Sequence, residues 1–170
     1  MLDYFLKEYD FSEVHKKEIS TSPDLAFDVL QQLDLSKSRL IRVLLRLRGL
    51  DPTKKMEELF TPLLSIPPHE VIWGLVARPW RLKGDVTKVE PDRFNVFKEK
   101  GFAKIVWGFT FVKTSNGTLV TTETRIHCTD SSSRWKFAVY WFFVRPFSGL
   151  LRKGILALLE RECLKKDSSV

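Results

Sequence analysis

A chain of 170 residues is most simply one domain, 1–170, long enough to bury a real core. A hydrophobic fraction of 44% with five Trp excludes a disordered chain. The net charge of +7 is scattered apart from clusters at Arg39/Arg42/Arg46/Arg48, Arg152/Lys153 and Lys165/Lys166, which reads as a solvated basic surface and not as a nucleic-acid site.

Ser12 to Thr21 read as a first strand. Ser22-Pro23-Asp24 then marks a helix start, with Ser22 as N-cap, Pro23 at the first helical position and Ala26, Val29, Leu30 and Leu33 as the buried stripe. A second helix is expected from Ser36 to Arg48, with Leu40, Ile41, Leu44 and Leu45 on its apolar face; Gly49 and Pro52 stop it. A shorter helix from Lys54 to Phe60 follows, and Pro67-Pro68 closes the helical region. Val71 to Ala77 is a strand apolar on both faces. Trp80 to Leu82 and Val86 to Glu90 read as strand pieces split by Gly84, and Pro91 to Phe97 as a helical turn.

Asn116-Gly117 between two β-rich runs is a strong hairpin signal. A two-residue loop there pairs Phe111 with Thr122, Phe109 with Thr124 and Trp107 with Ile126. Alternation puts Ile105, Trp107, Phe109, Phe111, Val120, Thr122, Thr124, Ile126 and Cys128 on one face, and Glu123, Arg125 and His127 on the other. Asp130 caps the final helix. From Phe137 to Val144 every residue of that helix is apolar or aromatic, so it should be covered on every side; from Phe147 to Leu159 an i, i+3, i+4, i+7 stripe takes over. Pro146 removes an amide and should bend it.

Cys128 and Cys163 form no disulfide framework and no metal-ligand spacing, and suit a reducing compartment. His15, His69 and His127 are too dispersed for a zinc site. No signal peptide or membrane-spanning stretch is read, so a cytoplasmic location is expected. No catalytic motif, metal site or cofactor site is read from the chain.

The order of strand, helices, strand meander and long C-terminal helix is that of the helix-grip fold, an α+β architecture. In it a curved antiparallel sheet wraps a long kinked helix, with two or three short helices after the first strand. At Gly74 to Trp80 (Gly-Leu-Val-Ala-Arg-Pro-Trp), Thr121 to Ile126 (Thr-Thr-Glu-Thr-Arg-Ile) and Tyr140 to Gly149 (Tyr-Trp-Phe-Phe-Val-Arg-Pro-Phe-Ser-Gly) the chain resembles the SRPBCC superfamily. That superfamily includes START lipid-transfer domains, birch-pollen-allergen-like proteins and aromatic polyketide cyclases. The nearest resemblance is to a bacterial group of SRPBCC proteins without an assigned activity. The resemblance runs from about Val14 to Lys165. It implies a cavity between sheet and helix for a lipid, isoprenoid or polyketide-like molecule; it does not imply a reaction.

The ligand-binding residues expected on this reading are Arg78, Trp80, Trp107, Phe109, Thr122, Thr124, Tyr140 and Trp141. Each has a plainer role. Trp107 and Phe109 with Thr122 and Thr124 either line a cavity or pack a core. Tyr140 and Trp141 either offer polar tips to a ligand or bond to the sheet. Arg78 either snorkels at the cavity mouth or anchors an acidic headgroup. Glu123 and Arg125 form a sheet-surface ion pair in a regular hairpin, or an acid–base pair in the pocket if a bulge intervenes. The first functional reading is therefore a non-enzymatic carrier of a small hydrophobic molecule, monomeric or homodimeric, with no nucleic-acid partner. The second is a polyketide cyclase or hydrolase. The third is a membrane-surface or protein-interaction module, in weak contact through the second helix and the basic C-terminal end.

Overall fold

The computed structural model describes residues 1–47, 53, 60–81 and 85–167. The expected helix from Lys54, the stops at Gly49 and Pro52 and the break at Gly84 lie outside them. The elements are α1 (Leu2–Phe5), β1 (Phe11–Ile19), α2 (Pro23–Gln31), a 3₁₀ turn (Leu35–Lys37), α3 (Arg39–Leu47), β2 (Thr61–Ile66), β3 (Glu70–Ala77), β4 (Val86–Thr87), α4 (Pro91–Phe94), β5 (Ala103–Thr114), β6 (Gly117–Cys128) and α5 (Ser131–Asp167). The strands form one antiparallel sheet in the order β1-β6-β5-β3-β2, with β4 on the edge of β3. This is the helix-grip arrangement of a curved sheet and a long C-terminal helix.

Local chemistry explains most of the boundaries. Ser22 accepts a hydrogen bond from the Leu25 amide and Pro23 opens α2, as the Ser-Pro-Asp signal requires. The second helix is interrupted: Asp34 bonds to the Ser36 amide and nucleates a 3₁₀ turn, and α3 starts only at Arg39. The segment before Pro67-Pro68 is a strand, β2, not the end of a helical region. Only Thr61 and Ile66 favour a strand by themselves; the segment is held by a partner edge in β3, which local propensity alone cannot reveal. Of the strand pieces expected after Pro79, Val86–Thr87 pairs with β3; the other, Trp80 to Leu82, ends outside the described residues, and Trp80 and Arg81 lie in a turn.

The β5–β6 hairpin keeps the expected faces but not the expected register. Trp107 lies opposite Thr124, Phe109 opposite Thr122 and Phe111 opposite Val120. The loop is Ser115-Asn116, with Gly117 already in β6 at φ +147°. The shift is two residues, and side chains alternate with period two, so every side chain stays on its face.

The inner face carries Val71, Trp73, Trp107, Phe109, Phe111 and Val120 against α2, α3 and α5. The outer face is also covered. Leu2 and Leu6 of the N-terminal segment, with Phe94 and Phe102, pack on Ile72, Val76 and Val106. This outer layer is absent from the sequence reading, although Leu2, Phe5 and Leu6 have helical i, i+3, i+4 spacing.

Helix α5 runs on through Pro146. Its buried stripe is Ser133, Phe137, Ser148, Leu151, Arg152, Ile155, Leu156, Leu158, Leu159 and Cys163. The expectation that Phe137–Val144 is covered all round is overturned: Val139, Phe142 and Phe143 are exposed, as are Phe147 and Leu150 from the later stripe. The helix lies against one side of the sheet, and among the described residues nothing packs on its far face.

Asp130 caps α5. Its carboxylate accepts from the Ser133 amide at 2.9 Å, from the Ser133 hydroxyl at 2.7 Å and from the Gly101 amide. Those donors, the Ser133 amide first, hold its carboxyl at about 2, below the ordinary carboxylate value of 3.8. A depressed folded-state pKa contributes stability above the unfolded value and loses it as pH falls through the folded one. Asp130→Ala should therefore cost about 1–2 kcal/mol at pH 6. Urea melts from pH 6 down to pH 3 should show the gap to wild type beginning to close below about pH 4.

Candidate functional site

The inner face brings together four of the residues singled out from the sequence. Trp107, Phe109, Thr122 and Thr124 all lie buried between the sheet and α5. Trp107 meets Trp73 at 5.9 Å, Phe109 at 5.3 Å and Phe60 at 5.5 Å between ring centroids. These distances suit edge and tilted aromatic packing. The indole N–H of Trp107 donates to Thr122 Oγ1 at 2.7 Å. The neighbouring Thr124 hydroxyl is buried and has no hydrogen-bond partner among the described residues. Leu30, Leu33, Leu35, Trp73, Trp107, Phe109 and Ile155 border a void of about 10 Å³.

Arg152 completes this interior, and the sequence reading overlooked it. Its residue is 7% exposed, and its guanidinium lies 3.9 Å from the centroid of the Trp107 ring. A desolvated cation over a Trp face is stabilised by roughly 2 kcal/mol. The signal was present: Ser148, Arg152, Ile155 and Leu159 fall on one helical stripe, so an arginine stands where an apolar residue is expected.

Trp80, Tyr140 and Trp141 occupy a different part of the molecule. They surround Phe137 beside Ala103, Ile105, Ile126 and Cys128, near the other end of β5. Phe137 stacks on Trp141 and lies against Tyr140, both at 5.7 Å. Four residues of strand, or about 13 Å, separate Ala103 from Trp107 along β5. Arg78 is on the outer side: its guanidinium sits 4.2 Å from the Phe102 ring centroid and its Nε is 3.0 Å from Asp85.

Glu123 and Arg125 face outward, opposite Gly108 and Val106. They are not a plain solvent-exposed pair. The Arg125 side chain is 13% exposed, donates to Glu123 at 2.6 Å, to Asp3 and to the Leu6 carbonyl, and lies 4.9 Å from the centroid of Tyr9. The outward direction alone would put the cost of Arg125→Ala below about 1 kcal/mol. Because the N-terminal segment roofs the pair, that figure rises to roughly 1.5–3 kcal/mol, as removal strands a half-covered Glu123 carboxylate. Glu123→Gln in the same chain should recover part of the loss in a urea melt.

A second concavity, a groove of about 530 Å³, opens where β1 meets α5, lined by Ser12, Glu13, His15, Arg145, Gly149 and Lys153 among others. Glu13 Oε1 and His15 Nε2 are 2.8 Å apart, and Glu13 Oε2 is buried without a partner among the described residues. Both project from the inner face of β1, in phase with Phe11 and Ile19. The two thiols are poor nucleophiles: burial raises Cys128 to about 12 and Cys163 to about 11. Among the described residues, no cluster of three His, Cys, Asp or Glu could hold a metal ion. No described helix is long and apolar enough to cross a membrane.

No family model matches the chain, and no curated protein matches it. Solved structures similar to it include the protein MLL2253 from Mesorhizobium loti, at 16% identity over 92% of this chain and 98% of that one, with a TM-score of 0.42. Another is BexL, a di-domain ARO/CYC protein of the BE-7585A biosynthetic pathway, at 12% identity over 89% of this chain, with a TM-score of 0.46; the match spans 49% of BexL. A third is StfQ, the di-domain ARO/CYC protein of the steffimycin pathway, at 8% identity over 92% of this chain and 51% of that one, with a TM-score of 0.43.

Proposed function

We propose that the chain is a helix-grip carrier of the SRPBCC kind, which binds a small apolar molecule with one polar end between the sheet and α5. One observation carries this reading. On the inner face a buried guanidinium, Arg152, lies over Trp107, and the Thr124 hydroxyl, on the strand beside Trp107, has no partner among the described residues; Trp107 itself borders the small void. An unsatisfied buried hydroxyl costs roughly 1–3 kcal/mol, a cost that a ligand oxygen or a water at that position removes. Trp73, Trp107 and Phe109 supply flat walls for a ring or a chain. Thr124 would bond to the ligand's terminal oxygen, and Arg152 would place positive charge near it. Lipid, isoprenoid and polyketide-like molecules ending in a carboxylate, carbonyl or phenolate all present that chemistry. The void bordered by Leu30, Leu33 and Leu35 is smaller than any of them, so α2 and the 3₁₀ turn would part from the sheet on binding. A cyclase or hydrolase would need a proton-transfer group beside the bound molecule: Glu123 and Arg125 project away from the interior, and the inward pair Glu13 and His15 lines the separate groove between β1 and α5.

Titration with cis-parinaric acid tests this, because the probe pairs an apolar chain with a terminal carboxylate. Saturable binding with quenching of Trp fluorescence is expected. Thr124→Val should weaken it roughly fivefold, the equivalent of one hydrogen bond of about 1 kcal/mol. Trp107→Leu should weaken it further, with the melt of each variant recorded alongside. Phe142→Ser/Phe143→Ser, on the exposed side of α5, should leave it unchanged. Equal binding by wild type, Thr124→Val and Trp107→Leu, or no saturable binding at all, would overturn the proposal.

A further inference from the structure

Helix α5 turns an exposed aromatic ridge to the outside. Trp135 is 70% exposed, Phe142 77% and Phe143 66%, and Val139, Phe147 and Leu150 continue the same line. Positions 135, 139, 142, 143, 147 and 150 share one helix face, spread over about 22 Å of its length. The four aromatic rings alone expose on the order of 500 Å², the scale of the largest functional patches on monomeric proteins. Ordinary surface composition does not explain six large apolar residues in one row.

The charge around the ridge selects its occupant. Between Ser131 and Leu159 there are five Lys and Arg and no Asp or Glu. Arg134 pairs with Asp10 at 3.1 Å and Arg152 is buried inside. Lys136, Arg145 and Lys153 remain exposed beside the ridge, with no ion pair among the described residues. Two copies of the chain meeting through this face in a two-fold dimer would bring these cations against their own copies, which is unfavourable. An anionic lipid surface satisfies both features. Trp and Phe side chains suit the headgroup–acyl boundary, and basic residues flanking them suit anionic headgroups. The opposite face of α5 is fixed to the sheet through Phe137, Leu151 and Ile155, so the ridge is presented without the ordering cost of a free peptide.

We infer that the exposed face of α5, from Trp135 to Lys153, is a docking surface for an anionic membrane. The inference does not rest on an interior ligand. It places the contact on α5 and not on the apolar face of the second helix: of that face, Ile41, Leu44 and Leu45 are buried in the core and Leu40 is exposed.

Flotation with lipid vesicles tests it on the full chain. Vesicles of phosphatidylcholine with 30% phosphatidylglycerol should carry the protein at 50 mM NaCl, and those of phosphatidylcholine alone should carry little. Binding should fall at 500 mM NaCl as the charges are screened. Phe142→Ser/Phe143→Ser should weaken it at least tenfold without lowering the melting temperature. Lys136→Gln/Arg145→Gln/Lys153→Gln should weaken it roughly a hundredfold at low salt, at about one kcal/mol per surface cation. Trp135→Phe should remove a blue shift seen on vesicle binding. Absence of binding to the anionic vesicles, or binding unaffected by the ridge and charge variants, would overturn the proposal. So would concentration-dependent dimerisation that the ridge variant abolishes, with no vesicle binding; that result would assign the ridge to a second copy.

Discussion

Phe109→Ala is expected to destabilise the protein by about 3–5 kcal/mol, and Phe142→Ala by less than about 0.5 kcal/mol. The two residues are the same type, and both lie in strongly hydrophobic stretches of sequence. Phe109 is 1% exposed and touches Trp73 and Trp107, so its removal leaves a cavity that rigid neighbours cannot refill. Phe142 contacts Phe143 and otherwise faces outward, so little contact is lost. Urea melts of both variants decide the point. A loss above about 2 kcal/mol in Phe142→Ala would mean that the outer face of α5 is covered, and the docking surface would go with it.

The second large effect is expected at Gly117. Its φ is +147°, and a Cβ built there would lie 2.2 Å from the Ile19 carbonyl oxygen, a backbone atom at the end of β1. Neither the turn nor β1 can yield without breaking the pairing of Ile19 with Thr118. Gly117→Ala should cost roughly 3 kcal/mol or more, from backbone strain plus displacement of a strand. Gly101 is the control. Its φ is +94°, but a Cβ there meets nothing within 4 Å. Gly101→Ala should therefore show strain alone, about 1–2 kcal/mol. Equal losses in the two variants would show that the contact with Ile19 is not what Gly117 serves.

The hairpin illustrates how far a pattern reaches. Alternation of apolar and polar residues puts Trp107, Phe109, Thr122 and Thr124 on the interior face, and the structure has them there. The register was off by two, because the same Asn-Gly pair can close the loop at more than one position and only the rest of the sheet selects among them. Of the candidate site residues, periodicity located those on long regular strands. It could not locate Arg78, Trp80, Tyr140 and Trp141 relative to them, because nothing in local spacing says which end of the sheet a loop or a helix turn will meet.

The amino-acid sequence by itself determined the elements whose causes are local: the Ser22 cap, the hairpin faces, the Asp130 cap and a long helix continuing past Pro146. Each depends on hydrogen bonds or alternation within a few residues. Tertiary structure alone decided what covers what. The N-terminal segment roofs Arg125, Arg152 turns inward onto Trp107, β2 finds an edge on β3, and the aromatic half of α5 is left bare on one side. Hydrophobicity states that a surface would be stabilised by leaving water. It does not state which partner is within reach, and that depends on contacts between residues far apart in the chain.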